Sequence, residues 1–137
     1  MPDVSSYLKS IGKDFKEDKA EAWIGLEARN LHMALEELKK NGFTRVSAIS
    51  GVDVGKNIEV IYHVFSEDYY VSIRVLLPKS KPEIKTVTGI YPGANMFERE
   101  LAEMLGVEVL EHPNMKGLFL NESSPKTPLR KDSAATG

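Results

Sequence analysis

The sequence predicts an α+β domain, in which a mostly antiparallel sheet of about four strands packs against helices. Residues 58–65 and 69–77 both show the period of two that is typical of strands, and the short stretch 66–68 between them suits a tight hairpin. Residues 31–38 instead place apolar side chains at the spacing of an amphipathic helix. With 137 residues, of which 42% are hydrophobic, the chain is long enough for one such core.

A short helix, a loop and a strand are predicted for the beginning of the chain. Residues 4–11 carry apolar side chains at helical spacing, and Gly12 follows as a stop. The charged stretch 13–19 is interpreted as a loop. Residues 22–28 are rich in apolar side chains and are predicted to form a strand, although Gly25 is unfavourable inside it.

The following segments predict a longer helix and a long strand. Asn30 is expected to cap a helix over residues 31–40, and Gly42 is positioned to end it. Residues 45–53 show an extended pattern, and the stretch 51–57 has the glycine and asparagine content of a turn. Together with the two alternating strands they predict a meander, one face of which the helix covers.

Prolines separate the predicted sheet from a last helix. Pro78 and Pro82 end the sheet region, and residues 95–105 are predicted to be helical, with Gly106 as the C-cap. Residues 107–110 then predict a short edge strand. The predicted apolar stripe of this helix consists of Phe97, Leu101, Met104 and Leu105.

Charge and composition exclude several classes of function. The 18 basic and 20 acidic residues give a net charge of -2, which provides no overall field that attracts nucleic acid. The chain has no cysteine, so an iron–sulfur cluster, a cysteine zinc site and thiol catalysis are not expected in it. No stretch approaches the ~20 apolar residues of a membrane span, and the first residues do not resemble a signal peptide. We expect a soluble, cytoplasmic chain that reaches a membrane only through partners.

Two patterns that suggest ligand binding are weak. The stretch 51–57 resembles a phosphate-binding loop, but its glycine spacing is one residue short and Asn57 stands where that motif needs Ser or Thr. A hairpin turn is therefore predicted there. The three histidines, His32, His63 and His112, are widely separated and form no helical metal-binding pair.

Structural positions account for two of these histidines. His32 is expected on the surface, in the first turn of its helix. His63 is expected to form a cross-strand polar pair with Arg74 or Glu59, since it lies on the second face of its strand.

Glu98, Glu100 and His112 are candidate acid–base residues of a small soluble enzyme, which is one alternative function. On a helix, residues two apart point about 200° away from each other, so the two carboxylates do not share a face. Glu100 is predicted to lie nearer the apolar stripe and to need a buried partner. The candidate partners are Arg74, Arg99 and Arg130. A solvated polar face is the simpler alternative.

The end of the chain is predicted to be a separate extended arm. We divide the chain into a core domain at residues 1–116 and a docking arm with its tail at residues 117–137. Pro125 and Pro128 favour extended backbone, and the stretch 117–132 reaches roughly 50 Å when fully extended. In it, Arg130 suits charge-assisted contacts with a neighbouring protein.

Ordered motifs in the second half of the chain resemble a known family. This family is the C subunit of the proton-pumping NADH dehydrogenase (respiratory complex I), with the equivalent subunits of membrane-bound energy-converting nickel–iron hydrogenases and their archaeal relatives. The resemblance runs from about residue 46 to residue 132. Its strongest motifs are Phe97-Glu98-Arg99-Glu100, Glu103-Met104-Leu105-Gly106-Val107, His112-Pro113 and Pro128-Leu129-Arg130-Lys131-Asp132. Weaker ones are Ser50-Gly51-Val52-Asp53 and Ile61-Tyr62-His63-Val64.

Some positions depart from the family pattern. The family usually has tryptophan where Met96 stands and glycine where Glu111 precedes the His-Pro pair. It also has aspartate and phenylalanine at the positions of Glu103 and Leu105, and two arginines near Lys116 and Gly117. The looser pattern around the His-Pro pair and the compactness of the chain favour an energy-converting hydrogenase or a related archaeal complex over a respiratory NADH dehydrogenase.

The resemblance implies a non-catalytic structural subunit in the peripheral arm of a membrane-bound, ion-translocating oxidoreductase. The expected partners are a hydrogenase-like large subunit, a small iron–sulfur subunit and, indirectly, antiporter-like membrane subunits. The chain itself is expected to hold no cofactor, while its partners carry iron–sulfur clusters and, in a hydrogenase, a nickel–iron centre. It would then lie on the cytoplasmic side of the cell membrane as a peripheral component. The expected interface residues are Glu98, Arg99, Glu100, His112, Pro113, Pro128, Leu129, Arg130, Lys131 and Asp132.

Two other assignments stay open at this point. The same structural role in an NADH dehydrogenase of complex I type fits the motifs as well. A free-standing adaptor domain would keep the fold without a hydrogenase-like partner.

Overall fold

A five-stranded sheet and three α-helices form the body of the protein in the computed structural model, which describes residues 2–113. The strand order is β1-β2-β5-β4-β3, and every neighbouring pair is antiparallel except β2 and β5. The short strands β6 and β7 pair in parallel beside this sheet. The predicted α+β class is confirmed. The elements are α1 (Pro2–Ile11), β1 (Lys13–Glu17), β2 (Glu21–Leu26), α2 (Ala28–Lys40), β3 (Arg45–Asp53), β4 (Asn57–Phe65), β5 (Tyr70–Pro78), β6 (Glu83–Lys85), a 3-10 turn (Pro92–Ala94), α3 (Asn95–Leu105) and β7 (Glu108–Leu110).

One face of the sheet is the core face, and the helices cover it. Along β4 every second residue is fully buried, which is the pattern that the period of two predicts. Residues that pair across strands lie on the same face, so the buried residues form rows across the sheet. One such row is Ile24, Ile73, Tyr62 and Ile49. Helix α2 covers the core face with four buried side chains, which are those of Leu31, Ala34, Leu35 and Leu38.

Helix α3 approaches β3 closely because Gly51 has no side chain. A Cβ atom at Gly51 would lie 2.6 Å from Cδ1 of Leu101 and 2.6 Å from Cδ1 of Leu105, which is closer than real contacts allow. Gly51 lies within β3, so the predicted turn is confined to the residues after Asp53. There the N–H of Gly55 donates to Oδ1 of Asp53 at 2.9 Å.

The prediction of a loop over residues 13–19 was wrong, because Lys13–Glu17 forms the edge strand β1. Its sequence is charged, and its side chains are mostly exposed, as suits an edge strand. Backbone pairing with β2, not an apolar pattern, holds it in place. Strand β6 was not predicted either, since Glu83–Lys85 directly follows Pro82 and is too short to show a period.

Helix α2 begins earlier than predicted. Its N-cap is Glu27, which makes no side-chain capping bond, and Asn30 lies inside the first turn. The N–H of Asn30 donates to the carbonyl of Glu27 at 2.9 Å, so the assignment of Asn30 as the cap was wrong. The predicted C-cap of α3 is confirmed, because Gly106 has a φ of 72° and its N–H bonds to Ala102.

Tyr91 joins the segment before α3 to the residues that follow α2. Its hydroxyl donates to the carbonyl of Phe43 at 2.6 Å, and the side chain is buried. Replacing Tyr91 with phenylalanine leaves that carbonyl without its donor, so we expect the free energy of unfolding to fall by about 1–2 kcal/mol. Urea denaturation measures this, with Tyr70→Phe as the control because Tyr70 is half exposed. Equal stability of the two variants would contradict the assignment.

Within residues 2–113, no helix combines the length and the apolar character that a bilayer span requires.

Candidate functional site

The candidate site is built around Glu98, in the first turn of α3. Its side chain points into the protein and is fully buried, whereas Glu100 is exposed. The prediction that Glu100 lies nearer the core was therefore wrong. The buried stripe of α3 consists of Glu98, Leu101 and Leu105, at positions i, i+3 and i+7. Met104, which the sequence assigned to this stripe, lies at its exposed edge.

Both carboxylate oxygens of Glu98 have partners from other segments. The hydroxyl of Thr86 donates to Oε1 at 2.6 Å, and the N–H of Val87 donates to Oε2 at 2.8 Å. Nε2 of His112 lies 3.5 Å from Oε1, and this ring is buried as well. Thr86 follows β6 and His112 follows β7, so one carboxylate joins α3 to two further segments of the chain.

Further contacts surround the groups that hold this carboxylate. Nε2 of His32 on α2 lies 2.7 Å from the carbonyl oxygen of Thr86. Nε2 of His112 lies 3.3 Å from the carbonyl oxygen of Asn95. His32 is thus half-buried and beyond the first turn of its helix, so its assignment to the surface of that turn was wrong. Together these contacts connect α2, α3 and the ends of both short strands.

Burial raises the pKa of Glu98, because the carboxylate has lost its hydration. The hydrogen bonds from Thr86 and Val87 and the nearby charges of His112 and His32 act in the opposite direction. Burial also raises the pKa of Tyr62, and the charge of Glu98 adds to this effect. The site therefore contains a buried carboxylate. Its hydrogen bonds and charged neighbours offset the lost hydration only in part.

The raised pKa of Glu98 predicts a pH dependence of stability. Between the ordinary carboxyl pKa of 4.5 and its raised value, the folded protein keeps a proton that the unfolded chain has released. The stability from this group is thus fully present below 4.5 and is lost as the pH rises through the folded pKa. Urea unfolding at several pH values measures it, with Glu98→Gln as the control without this proton. If the difference in unfolding free energy between the two proteins did not change with pH, this would contradict the raised pKa.

The structure brings only part of the candidate acid–base set together. Glu98 and His112 meet, but Glu100 is exposed to solvent elsewhere. Glu98 has no exposed surface within the described residues, so a substrate does not reach its carboxylate. Among residues 2–113, no three or more His, Cys, Asp or Glu side chains are placed to hold a metal ion.

The remaining predicted interface residues differ in their surroundings. Arg99 is half-buried, with one guanidinium nitrogen 3.5 Å from Sδ of Met96 and with Nε bonded to no described residue. Pro113 is exposed and lines a groove of about 840 Å³ beside α2, which Ile90 also lines. The five predicted arm residues lie outside the described residues. These are Pro128, Leu129, Arg130, Lys131 and Asp132.

The partners of Glu98 are the residues that sequence reasoning missed. Thr86 and Val87 follow a strand that was not predicted, so nothing marked them as neighbours of the helix. The prediction for His63 was wrong in its partners as well. Its Nδ1 lies 3.0 Å from Oγ of Ser72 and its Nε2 lies 3.2 Å from Oγ of Ser50, so Arg74 and Glu59 are not involved.

Comparison with known protein families gives a match over residues 24–137. The matching family is described as "Respiratory-chain NADH dehydrogenase, 30 Kd subunit".

Individual relatives carry related names. The chain is 35% identical over 107 residues to the C subunit of the NADH-quinone oxidoreductase of Rhizobium rhizogenes, covering 75% of this chain and 54% of the relative. It is 37% identical over 95 residues to the C subunit of the F(420)H(2) dehydrogenase of Methanosarcina mazei, covering 66% and 60%. It is 34% identical over 110 residues to the C subunit of the NADH-quinone oxidoreductase of Moorella thermoacetica, covering 77% and 74%. The chain thus spans little more than half the length of the first two relatives.

Two solved structures share the fold. One is the membrane-bound sulfane sulfur reductase, an archaeal respiratory membrane complex, with a TM-score of 0.82 at 23% identity; the match covers 96% of this chain and 81% of the other. The other is a trypsin-resistant fragment of Nqo5, with a TM-score of 0.70 at 22% identity, covering 82% and 97%. At these identities the likeness shows the fold alone.

Proposed function

Because the chain belongs to the family of the 30 kDa subunit of the respiratory-chain NADH dehydrogenase, we propose that it is a non-catalytic structural subunit of a membrane-bound, ion-translocating oxidoreductase. In this role it belongs to the peripheral arm, on the cytoplasmic side of the membrane, and partner subunits hold it there. The single observation that carries the proposal is the buried Glu98. It fixes the His112-Pro113 corner, which is the last described point before the predicted arm.

The contacts of Glu98 favour a structural role over a catalytic one. One oxygen accepts from the hydroxyl of Thr86 and the other from the N–H of Val87. A general base needs a free oxygen within reach of its substrate, and Glu98 offers none. Its contacts instead fix the relative positions of three segments, which is what a docking platform requires.

We propose that residues 117–137 form the docking arm and that residues 1–116 form the domain from which it leaves. In the arm, Arg130 and Lys131 are suited to charge-assisted contacts, and Leu129 to an apolar pocket. Pro125 and Pro128 restrict the free chain and thereby reduce the entropy lost on binding. The proposed partner of this arm is a hydrogenase-like large subunit, with a small iron–sulfur subunit nearby.

The cofactors of the complex belong to its other subunits in this proposal. The chain has no cysteine with which to bind an iron–sulfur cluster or a nickel–iron centre. Electron transfer would then pass through the partners, while this subunit maintains their arrangement.

Two branches of the family are candidates for the complex. The departure from the family pattern at Glu111, directly before the His-Pro pair, supports a complex of the energy-converting hydrogenase type. The names of the relatives support a dehydrogenase of complex I type, with NADH or another electron donor. We propose the first and keep the second as the alternative, because the structural role of this chain is the same in both.

Isolation from native membranes tests this function. The full chain with an N-terminal tag is purified from membranes in mild detergent, and mass spectrometry identifies the proteins that accompany it. We expect a cysteine-rich large subunit, an iron–sulfur subunit and antiporter-like membrane proteins, and the metal-ligand cysteines of the large subunit then distinguish the two branches. Recovery of the chain alone would contradict the proposal.

A further inference from the structure

The face of the sheet opposite the helices is uncovered in the described part of the chain. Strand register places two central rows of residues on this open face, because cross-strand partners point the same way. One row contains Lys16, Trp23, Ser72, His63 and Ala48. The next contains Lys13, Gly25, Arg74, Ile61 and Ser50. The helices contribute no residue to these rows.

Three large apolar side chains on the open face are about half exposed to solvent. Leu76, Tyr70 and Val52 are 49%, 48% and 47% exposed. The ring of Tyr70 stacks on Phe65, with 5.5 Å between the ring centroids, and Trp23 meets His63 edge to face. The solvent side of an antiparallel sheet normally carries polar residues, so an apolar and aromatic face of this kind is typical of a protein interface.

The central polar side chains of this face are already paired with each other. His63 contacts Ser72 through one ring nitrogen and Ser50 through the other. Covering His63 with another protein therefore leaves neither ring nitrogen without a partner. Arg74 is the exception, because its Nε is buried and bonds to no other described residue.

Arg74 lines a hollow that has a glycine in its floor. The hollow has a volume of about 540 Å³, and Lys13, Gly25 and Leu76 line it as well. Gly25 contributes no side chain, and the aliphatic part of the Lys13 side chain lies over it, since Cγ of Lys13 is 3.5 Å from the position that a Cβ atom of residue 25 would occupy. A carboxylate is the group that fits between an arginine and a lysine.

Acidic side chains of the chain itself also line this hollow, namely Asp14, Glu27 and Glu59. Glu27 is paired with Arg29, with 2.6 Å between carboxylate oxygen and guanidinium nitrogen. Nε of Arg74 bonds to none of the three carboxylates in the described part of the chain. Nε itself has no exposed surface, so a carboxylate from outside would meet Arg74 only at the part of its side chain that lines the hollow.

The charge of the open face is opposite to that of the whole chain. Its rows carry four cationic side chains and two acidic ones. The cations are Lys13, Lys16, Arg45 and Arg74, and the acidic residues are Glu21 and Glu59. Asp14, which lies between Lys13 and Lys16 on β1 and lines the hollow, is a third acidic residue, so the face has a surplus of one positive charge, in contrast to the net charge of -2 for the chain. An acidic partner surface therefore complements this face in charge.

We propose that the open face is a second docking surface, separate from the arm, for a partner protein that presents an acidic side chain within an apolar patch. The acidic side chain enters the hollow beside Arg74, and the apolar patch packs on Leu76, Ile61 and Trp23. This inference rests on the proposed function, since it assigns a second contact within the same complex.

Site-specific photo-crosslinking tests the surface. Leu76 is replaced with benzoylphenylalanine in the full tagged chain, the complex is purified from native membranes and irradiated, and mass spectrometry identifies the joined peptide. We expect a peptide from another subunit with Asp or Glu next to apolar residues. Met33→benzoylphenylalanine is the control, because Met33 lies on α2 and is 50% exposed. A crosslink to residues 114–137, to a second copy of this chain, or at no more than the Met33 level would overturn the proposal.

A charge reversal at Arg74 provides the second measurement. We expect Arg74→Glu to lower the amount of co-purified partner about tenfold or more, since it sets two carboxylates against each other, and Arg74→Lys to retain most of it. Circular dichroism confirms that both variants are folded; if Arg74→Glu does not fold, the Leu76 crosslink decides. Full retention of partners by folded Arg74→Glu overturns this inference alone. The absence of partners from the unsubstituted chain would instead overturn the proposed function.

Discussion

Replacing Glu98 with alanine is expected to lower the free energy of unfolding by about 3 kcal/mol or more. The change removes the acceptor of the Thr86 hydroxyl and of the Val87 N–H, and it leaves the buried ring of His112 without its carboxylate. Each buried polar group that loses its partner destabilises the folded state by about 1–3 kcal/mol. Urea denaturation of the full chain, followed by circular dichroism, measures the effect.

Glu100→Ala is the matched control for this prediction. It removes the same carboxylate two positions further along α3, where the side chain is exposed, so the expected change is within about 0.5 kcal/mol. The stability of Glu98→Gln is expected to lie between those of the two alanine variants, because its amide oxygen still accepts from the N–H of Val87. If the alanine variants at positions 98 and 100 were equally stable, Glu98 would not organise the site.

Removing residues 117–137 is expected to abolish co-purification with membrane partners while the domain stays folded. In the proposed function these residues provide the extended contact, and their loss removes the anchoring side chains together. We expect the free energy of unfolding to change by less than about 1 kcal/mol. Affinity purification from native membranes and urea denaturation give the two quantities for the same protein.

A single substitution tests the arm more finely. Arg130→Ala is expected to weaken partner association about tenfold to thirtyfold, the effect of losing one central arginine from an interface. Lys126→Ala removes a neighbouring positive charge outside the family motif and is expected to have little effect. If Arg130→Ala reduced domain stability as much as it reduced association, residue 130 would be a structural residue of the domain and not an interface residue.

The periodic parts of the fold could be predicted from the sequence. Strands β4 and β5 and helices α2 and α3 all bury one face, and a buried face leaves a regular apolar pattern. Strand β1 leaves no such pattern, because its side chains are exposed and its backbone bonds to β2 hold it. Strand β6 is too short to show one. Edge and short strands are specified by tertiary pairing, which a local pattern does not report.

The sequence identified two residues of the candidate site, but it did not show how their side chains are arranged. The motif placed Glu98 and His112 in one functional unit, and the structure brings them within 3.5 Å of each other. The direction of the Glu98 side chain was missed because hydrophobicity assigned the neighbouring Phe97 to the core. A buried carboxylate depends on specific donors, here Thr86 and Val87, and these come from a segment that local reasoning treated as irregular.

Native mass spectrometry of the detergent-released complex tests whether this chain is a structural subunit of a membrane-bound oxidoreductase. We expect an assembly that contains this 15.3 kDa chain together with a metal-containing large subunit, and that loses the chain when residues 117–137 are removed. An oxidoreductase assembly that is intact without the chain, while the chain is present only as a free 15.3 kDa protein or its own oligomer, would contradict that role.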